Sequence, residues 1–337
     1  MTNSAASDEL LPVCVLGLGL IGGSLLRAAA PKTTAYGWSR SAETRDAAAA
    51  DGFDVIADLD AALDRAATDN ALVVLATPVT AFRTLLEQIN NRTPGIRLTD
   101  VASVKGSVAS WVGELAPKTR FVGSHPMAGT QYSGWLYGAP DLFTGAAWVT
   151  CMDEETQIED WLPVARLALA VGSHVVPTEP VAHDQAVARI SHLPHLMALA
   201  LSQVGEQGGE LAMSLAASSF ADGTRVAATR PELIRAMTEN NASALVAALD
   251  DALAILGVAR ASLASTGSLQ KITSGGHEAR MNFDHRGTGL IPVELEGDDL
   301  VEQLLSVGAA GGYITGIRDH GPDLTVDGFY PDITDLD

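Results

Sequence analysis

Short β-rich apolar runs alternate with segments of helical pattern over the first half of the chain. The runs include LLPVCVLG, ALVVLAT and RFVGSH, and the segments between them, such as FRTLLEQI and VASWVGEL, carry apolar residues at helical spacing. Strands that alternate with helices require crossover connections, and these build a parallel sheet covered on both faces. We therefore predict a doubly wound α/β domain over residues 1–184.

The pattern changes to long helices after about residue 185. Segments such as LPHLMALALSQV and ASALVAALDDALAILGVARASL are dominated by Ala, Leu and Ser, with few strand formers. Long Ala-rich amphipathic helices bury an apolar face against each other or against a partner chain. We predict an all-α domain over residues 185–288 that forms a homodimer. The alternative is a helical domain that packs only on its own chain.

The last segment, residues 289–337, has the order strand, helix, strand, strand. This βαββ order resembles the first half of an ACT regulatory domain, but the segment is too short for the complete βαββαβ unit. We predict a C-terminal extension resembling a partial ACT domain, and an effector site in it is a hypothesis.

Composition narrows the class of protein. The chain has 337 residues, of which 47% are hydrophobic and 18% charged, which suits a globular protein of about two domains. The formal net charge of −20 argues against a nucleic-acid partner, because a phosphate backbone needs a basic surface. No segment approaches the roughly 20 uninterrupted apolar residues that span a bilayer. The N-terminus MTNSAASDEL lacks a signal-peptide pattern, so we expect a cytoplasmic protein without membrane contact.

The two cysteines, Cys14 and Cys151, lie in apolar strand-like runs. We interpret them as buried thiols in a reducing compartment and not as a disulfide. His192 and His195, in SHLPH, are spaced three apart, as metal ligands on one helix face can be. Pro194 marks the first turn of a helix, and no third ligand of the right type stands nearby, so we predict no metal site.

A glycine pattern follows the first strand. Gly17, Gly19 and Gly22 have GxGxxG spacing, with Leu20 and Ile21 between the last two. An apolar strand precedes the pattern, a helical pattern follows it, and a second strand ends near residue 37, which is the context of a dinucleotide-binding fingerprint. We predict a Rossmann-type domain in which these five residues bind the pyrophosphate at the helix N-terminus.

The end of the second strand bears on the choice of cofactor. An NAD site usually places Asp or Glu there, whereas this chain has Ser39, Arg40 and Ser41. A guanidinium flanked by hydroxyls can hold a 2′-phosphate that a carboxylate would repel, so NADP is favoured and NAD remains possible.

Two further loops follow strands and should lie at the carboxyl edge of the sheet. One carries Thr77 and Pro78, which we assign to the cofactor site, and the other carries Ser103 and Lys105. A lysine transfers the proton in β-hydroxyacid dehydrogenases, so Lys105 offers a competing enzyme interpretation. A place near the nicotinamide or at a helix cap suits its position better.

Three motifs behind the glycine pattern, FVGSHPMAG, ISHLPHLMALAL and ADGTR, are similar to those of the prephenate and arogenate dehydrogenase family. The resemblance covers roughly residues 11–285. It implies an oxidative decarboxylation: hydride leaves the carbinol carbon for the nicotinamide, the ring carboxylate leaves as CO₂, and the ring becomes aromatic. The product would be 4-hydroxyphenylpyruvate from prephenate or tyrosine from arogenate.

This chemistry needs a group that accepts the 4-hydroxyl proton as the hydride leaves. His125 suits that role, because imidazole titrates near neutral pH and its neutral form can accept a proton. The resemblance implies that Ser103 contacts this histidine and the substrate hydroxyl. It also implies that Ser191 and His195 face the substrate, with His195 near the side-chain carboxylate.

The substrate carboxylates need cations. Arg225 is the predicted partner of the ring carboxylate, because guanidinium binds carboxylate in bidentate geometry, and Asp222 would orient part of this arrangement. Arg230 and Arg235 are alternatives, but arginines on a helix usually form solvated salt bridges of small value. Thr130 and Gln131 follow the histidine loop as substrate-binding candidates. Some family members have an acidic residue at the position of Gln131, so the preference between prephenate and arogenate stays open.

Two alternatives to this enzyme remain. One is the β-hydroxyacid dehydrogenase that would use Lys105. The other is a protein that senses NADP without catalysis, although the joint presence of His125, His195 and Arg225 argues against it.

Overall fold

The computed structural model describes residues 10–130, 132–286, 289–320 and 323–331. The strands are β1 (Val13–Leu16), β2 (Ala35–Trp38), β3 (Leu72–Leu75), β4 (Arg97–Asp100), β5 (Arg120–Val122), β6 (Ser124–Pro126), β7 (Ala147–Cys151), β8 (His174–Thr178), β9 (Leu290–Leu295), β10 (Tyr313–His320) and β11 (Asp323–Pro331). The helices are α1 (Leu20–Ala29), α2 (Ala42–Ala50), α3 (Leu59–Thr68), α4 (Phe82–Arg92), α5 (Gly106–Leu115), α6 (Ile158–Ala170), α7 (Pro180–Val187), α8 (Leu193–Gln207), α9 (Gly209–Ser214), α10 (Ser218–Thr224), α11 (Pro231–Glu239), α12 (Ala242–Ser265), α13 (Gln270–Asp284) and α14 (Leu300–Ala309).

The chain divides into two compact units. The described residues up to His183 and from Pro292 to Tyr330 form the first, and those from Asp184 to Ile291 belong to the second. The predicted α/β fold with a following helical region is confirmed.

A parallel sheet forms the nucleotide-binding half of the first unit. Its order is β2-β1-β3-β4-β5, and its apolar strands β1 and β3 are buried along their whole length. A parallel bridge from Gly37 to Val55 adds a minimal strand outside β2. Counting that bridge, the sheet has the 3-2-1-4-5-6 order of a Rossmann fold. The strand order reverses between β1 and β3, where such sheets bind their ligands.

A second, mixed sheet completes this unit. Its order is β6-β7-β8-β10-β11-β9, with β7 antiparallel to β6 and parallel to β8. The run RFVGSH does not form one strand of the first sheet, because it divides at Gly123 into β5 and β6. Gly123 is the residue at which the chain passes from the first sheet to the second. Its carbonyl oxygen accepts a hydrogen bond from the amide of Cys151, at the end of β7, at 2.7 Å.

The C-terminal segment has the predicted strand, helix, strand, strand order, but its strands extend the second sheet. Ile314 of β10 pairs antiparallel with Val175 of β8. Helix α14 also lies close to this strand, since a Cβ added at Gly308 would be 1.6 Å from the carbonyl oxygen of Pro177. A βαββ segment alone leaves an open sheet edge, and pairing with β8 satisfies it. The segment is therefore integrated into the first unit.

The two cysteine side chains are buried in the first unit. Burial raises the pKa of the Cys14 thiol to about 12, so this thiol stays protonated at neutral pH.

The second unit is helical and leaves many large apolar side chains exposed. Helix α12 has 24 residues, of which Leu245 and Ala248 are buried. Several of its apolar side chains are about half exposed, including Leu253, Ile255 and Val258. By length and composition alone this helix could cross a membrane. Exposed apolar area of this kind marks a surface that needs a partner.

Candidate functional site

The turn from β1 into α1 requires glycine at two positions. Gly17 has a φ of +114°, and a Cβ there would lie 2.6 Å from the backbone of Ala76 and Thr77 at the end of β3. A Cβ at Gly22 would lie 1.9 Å from the carbonyl oxygen of Gly17. The first glycine therefore lets the turn approach β3, and the second lets α1 approach the turn.

The space above Gly19 is open. No atom lies within 4 Å of a Cβ built at this position, so the glycine does not serve packing. Helix α1 begins at Leu20 and Ile21, and no side chain caps its amides. Uncapped amides at a helix N-terminus can bind an anion.

The loop after β3 faces the same turn. The Thr77 hydroxyl is buried and has no hydrogen-bond partner among the described residues, and the next residue, Pro78, is exposed. A buried hydroxyl without a partner is unusual and suits a ligand. Together with the space above Gly19, it makes this site fit a bound dinucleotide.

The end of β2 offers cations and hydroxyls. Arg40 is exposed and forms no ion pair in the described part of the chain. Arg45 donates to the carbonyl oxygens of Ser39 and Arg40, at 2.6 and 3.0 Å, and thereby fixes this turn. The Ser41 hydroxyl oxygen accepts from the amide of Thr44 at 3.2 Å, so Ser41 caps α2. The Ser41 hydroxyl proton is still available to donate to a ligand.

Lys105 is a structural residue. Its side chain is 1% exposed, forms an ion pair with the buried Asp100, and donates to the carbonyl oxygen of Ser124 at 2.7 Å. Burial raises the pKa of the Asp100 carboxyl, and the lysine opposes that shift. An ammonium enclosed in this way does not reach a substrate, so the structure does not favour the interpretation of Lys105 as the proton-transfer residue of a β-hydroxyacid dehydrogenase.

Ser103 lies on the loop between β4 and α5 and is half-buried. Its hydroxyl forms no hydrogen bond with another described residue, and the contact with His125 that the resemblance implies stays a prediction. A role for Ser103 toward the substrate stays a prediction.

His125 lies on β6 and is half-buried. Its Nδ1 is 3.0 Å from Nε2 of His183, and the two rings meet at 75° with centroids 5.2 Å apart. His183 lies on α7 and is 3% exposed. His183 is not among the site residues predicted from the sequence. The sequence does contain a signal, because His183 and Asp184 stand four residues before Val187 and Ala188, a spacing that places side chains on one helix face, and all four are buried.

The loop after β6 is anchored on the nucleotide-binding half of the unit. The indole Nε1 of the buried Trp135 donates to Asp51 at 2.8 Å. The Arg27 guanidinium from α1 stacks on this indole, 3.4 Å from the ring centroid. Thr130 is exposed and accepts from the amide of Tyr132 at 3.2 Å. Gln131 lies outside the described residues.

In the second unit, a turn of π-helix, Ala188–His192, precedes α8. His195 donates from Nδ1 to the carbonyl oxygen of Ser191 at 2.8 Å, which leaves its Nε2 as an acceptor. His192 is buried, and its Nδ1 lies 3.2 Å from the amide nitrogen of Asn241. Turns of π-helix occur frequently at functional sites.

Arg225 begins a short 3₁₀ helix, Arg225–Ala228, and is exposed. Asp222 is exposed as well, and in the described part of the chain no ion pair joins it to Arg225. The predicted orientation of Arg225 by Asp222 is thus not seen. Among the described residues, no three His, Cys, Asp or Glu side chains lie close enough together to hold a metal ion.

Two family models match the chain. The nucleotide-binding domain of prephenate dehydrogenase matches residues 22–177, and the dimerization domain of prephenate dehydrogenase matches residues 179–267. Together they cover most of α1, both histidine motifs and α12.

Known proteins resemble the chain over most of its length. A cyclohexadienyl dehydrogenase from Zymomonas mobilis is 32% identical over 75% of this chain and 88% of that protein. A prephenate dehydrogenase from Bacillus subtilis is 30% identical over 71% of this chain, and the match spans 66% of that enzyme, just under two thirds. A solved structure from Corynebacterium glutamicum, described as a candidate prephenate dehydrogenase, is 43% identical with a TM-score of 0.83, covering 90% of this chain and 98% of that one.

The structural role of Lys105 can be tested by stability. In Lys105→Met the Asp100 carboxylate stays buried without its cation, which should cost about 3 to 5 kcal/mol and lower the thermal unfolding temperature. Adding Asp100→Asn removes the charge and should recover most of the loss. Circular dichroism would measure both, with the exposed Lys118→Met as the control. A Lys105→Met protein of unchanged stability that has lost turnover would show a catalytic lysine instead.

Proposed function

The chain belongs to the prephenate dehydrogenase family, and on that premise we propose that it catalyses the oxidative decarboxylation of prephenate or arogenate with a nicotinamide dinucleotide. The observation that carries the proposal is the position of His125, which begins the motif HPMAG on β6 and has one ring nitrogen held by His183. The nicotinamide, when bound, accepts the hydride from the substrate. The chain's residues must then take the hydroxyl proton and hold the carboxylates.

We assign the proton to Nε2 of His125, because Nδ1 is engaged with His183. General-base catalysis typically contributes about 10²- to 10⁴-fold. Ser103, on the loop after the neighbouring strand β4, would donate to or accept from the substrate hydroxyl.

For the carboxylates we propose Arg225, His195 and Ser191, the residues predicted from the sequence. Arg225 carries a guanidinium without a carboxylate partner in the described part of the chain, so it can bind the ring carboxylate. The half-buried Ser191 can donate its hydroxyl to the side-chain carboxylate, and His195 would lie near that end of the substrate. Asp222, Thr130 and Gln131 would complete substrate binding.

We propose NADP as the preferred cofactor and NAD as the alternative. The fixed turn at the end of β2 presents Arg40 with hydroxyls of Ser39 and Ser41 on either side, and residues 38–41 contain no carboxylate. The open space above Gly19 can hold the pyrophosphate, and the buried hydroxyl of Thr77 can hydrogen-bond the dinucleotide.

We propose that α12 and its neighbours form the interface of a homodimer in the cytoplasm. The dimerization-domain match includes this helix, and its exposed apolar side chains need a partner surface. Asp250 and Asp251 lie in the middle of the helix and would be costly in a bilayer. A second copy of the chain suits the helix better than lipid does.

A steady-state assay of prephenate and arogenate, each with NAD and NADP, tests the activity. We expect turnover with at least one pair. His125→Asn should then lower kcat by about 10²- to 10⁴-fold, and Arg225→Ala should raise the KM for the substrate by an amount equivalent to about 2 to 5 kcal/mol. The exposed Arg230→Ala is the matched control. An absence of turnover with all four pairs would refute the proposed reaction.

Cofactor selectivity can be measured without turnover, by calorimetric titration of NADP and NAD. Arg40→Ala should weaken NADP binding by roughly 10- to 100-fold, which corresponds to the loss of hydrogen bonds to a charged group, and should leave NAD binding nearly unchanged. Arg40→Lys keeps the positive charge, so its affinity for NADP should lie between those of the wild type and Arg40→Ala. An equal effect on both cofactors, or tighter binding of NAD by the wild-type protein, would remove the NADP assignment.

Analytical ultracentrifugation without detergent tests the dimer. The chain has a mass of 35.0 kDa, and we expect a species of twice that mass. Leu253→Glu on α12 should shift it toward the monomer, whereas Leu136→Glu, an exposed apolar position in the first unit, should not. A monomeric wild-type protein, or one that stays in solution only with detergent, contradicts the proposed interface.

A further inference from the structure

We infer that His183 is the positioning residue for His125: it accepts a hydrogen bond from Nδ1 of His125 and thereby selects the tautomer in which Nε2 of His125 carries no proton, as a base requires. The inference rests on the proposed function, in which His125 takes the substrate proton. It adds a second histidine to the site, one that the sequence motifs do not mark.

The geometry allows two arrangements of protons. Two imidazole nitrogens 3.0 Å apart form a hydrogen bond only if one of them carries the proton and the other does not. If His183 donates, Nδ1 of neutral His125 is the acceptor and its Nε2 carries the proton, so that His125 cannot act as a base. If His125 donates, its Nε2 carries no proton and has the lone pair that a base needs. The reaction requires the second arrangement, in which Nε2 of His183 is the acceptor.

The two rings sit on elements that the second sheet connects. His125 on β6 pairs with Val149 of β7, β7 pairs with β8, and β8 leads into α7, which carries His183. His183 is almost fully buried, and its amide donates to the carbonyl oxygen of Glu179 at 2.9 Å. The half-buried His125 keeps an exposed part that can meet a ligand. A base whose other ring nitrogen is hydrogen-bonded to a buried residue is preorganised for proton transfer.

The hydrogen bond between His125 and His183 becomes stronger when His125 is protonated. When Nε2 of His125 takes the hydroxyl proton, the ring becomes an imidazolium whose Nδ1–H donates to neutral His183, and a charge-assisted bond is about twice as strong as a neutral one. Loss of CO₂ then leaves a phenolate, and the proton on Nε2 returns to that oxygen. His183 gains and loses no proton over the cycle, so its role is to orient the ring and stabilise its charged form.

Two substitutions separate the hydrogen bond from packing. His183→Gln keeps an acceptor oxygen near the position of Nε2, and His183→Met has similar length but no comparable acceptor. We expect His183→Met to lower kcat by at least about 10-fold, with little change in substrate KM, cofactor affinity or thermal unfolding temperature. His183→Gln should recover most of kcat. A Met variant with wild-type kcat, or a Gln variant as slow as a stable Met variant, overturns the inference.

A double-variant cycle tests whether His183 acts through His125. In a His125→Asn background, His183→Met should have almost no further effect on kcat, because the ring to be oriented is gone. If the double variant instead loses kcat by the product of the two single-variant factors, His183 acts independently of His125 and the inference is overturned.

Nitrogen-15 NMR of the histidine side chains gives a readout that needs neither a variant nor turnover. The wild-type protein should show neutral His125 with its proton on Nδ1, and this state should be lost in His183→Met. A proton on Nε2 of His125 in the wild type overturns the inference. If no substrate pair turns over but the Nδ1 tautomer is present, the proposed reaction fails while the pairing of the two rings stands, so the two failures are distinguishable.

Discussion

A buried ion pair between Asp100 and Lys105 fixes the place where the two sheets of the first unit meet. Asp100 ends β4 of the first sheet, and Ser124 begins β6 of the second. Lys105 bonds to both, and the Ser124 hydroxyl donates to the Asp100 carbonyl oxygen at 2.6 Å. Burying charges is costly unless they are paired and hydrogen-bonded, so this network tolerates little displacement. The next residue along the chain is His125, and the network therefore sets the backbone from which the histidine projects.

The parts of the fold that depend on local pattern were predictable from the sequence. The glycine turn was one, because its spacing, the strand before it and the helix after it all follow from neighbouring residues. The helical character of the second unit was another. The division of RFVGSH between two sheets was not predictable, since a strand's composition says that it pairs and not with which strand. The pairing of β10 with β8 was hidden for the same reason, because about 140 residues separate Ile314 from Val175 in the chain.

The candidate site shows the same limit. The type and position of His125 pointed to proton transfer, but sequence could not tell that Lys105, a chemically suitable competitor, is enclosed by Asp100 and Ser124. The structure also shows which arginines form ion pairs with the acidic residues. Many arginines, such as Arg92 and Arg318, pair with carboxylates, whereas Arg40 and Arg225 have no such partner in the described part of the chain. These two guanidinium groups can therefore bind anionic ligands.

The position of β10 between β8 and β11 also constrains how the protein is made. The N-terminus of a chain leaves the ribosome first, so all the helices of the second unit emerge before β10 does. Until then β8 has an unpaired edge, and such edges attract other chains. The strand that leads toward His183 thus gains its second neighbour only after every helix of the second unit has been synthesised.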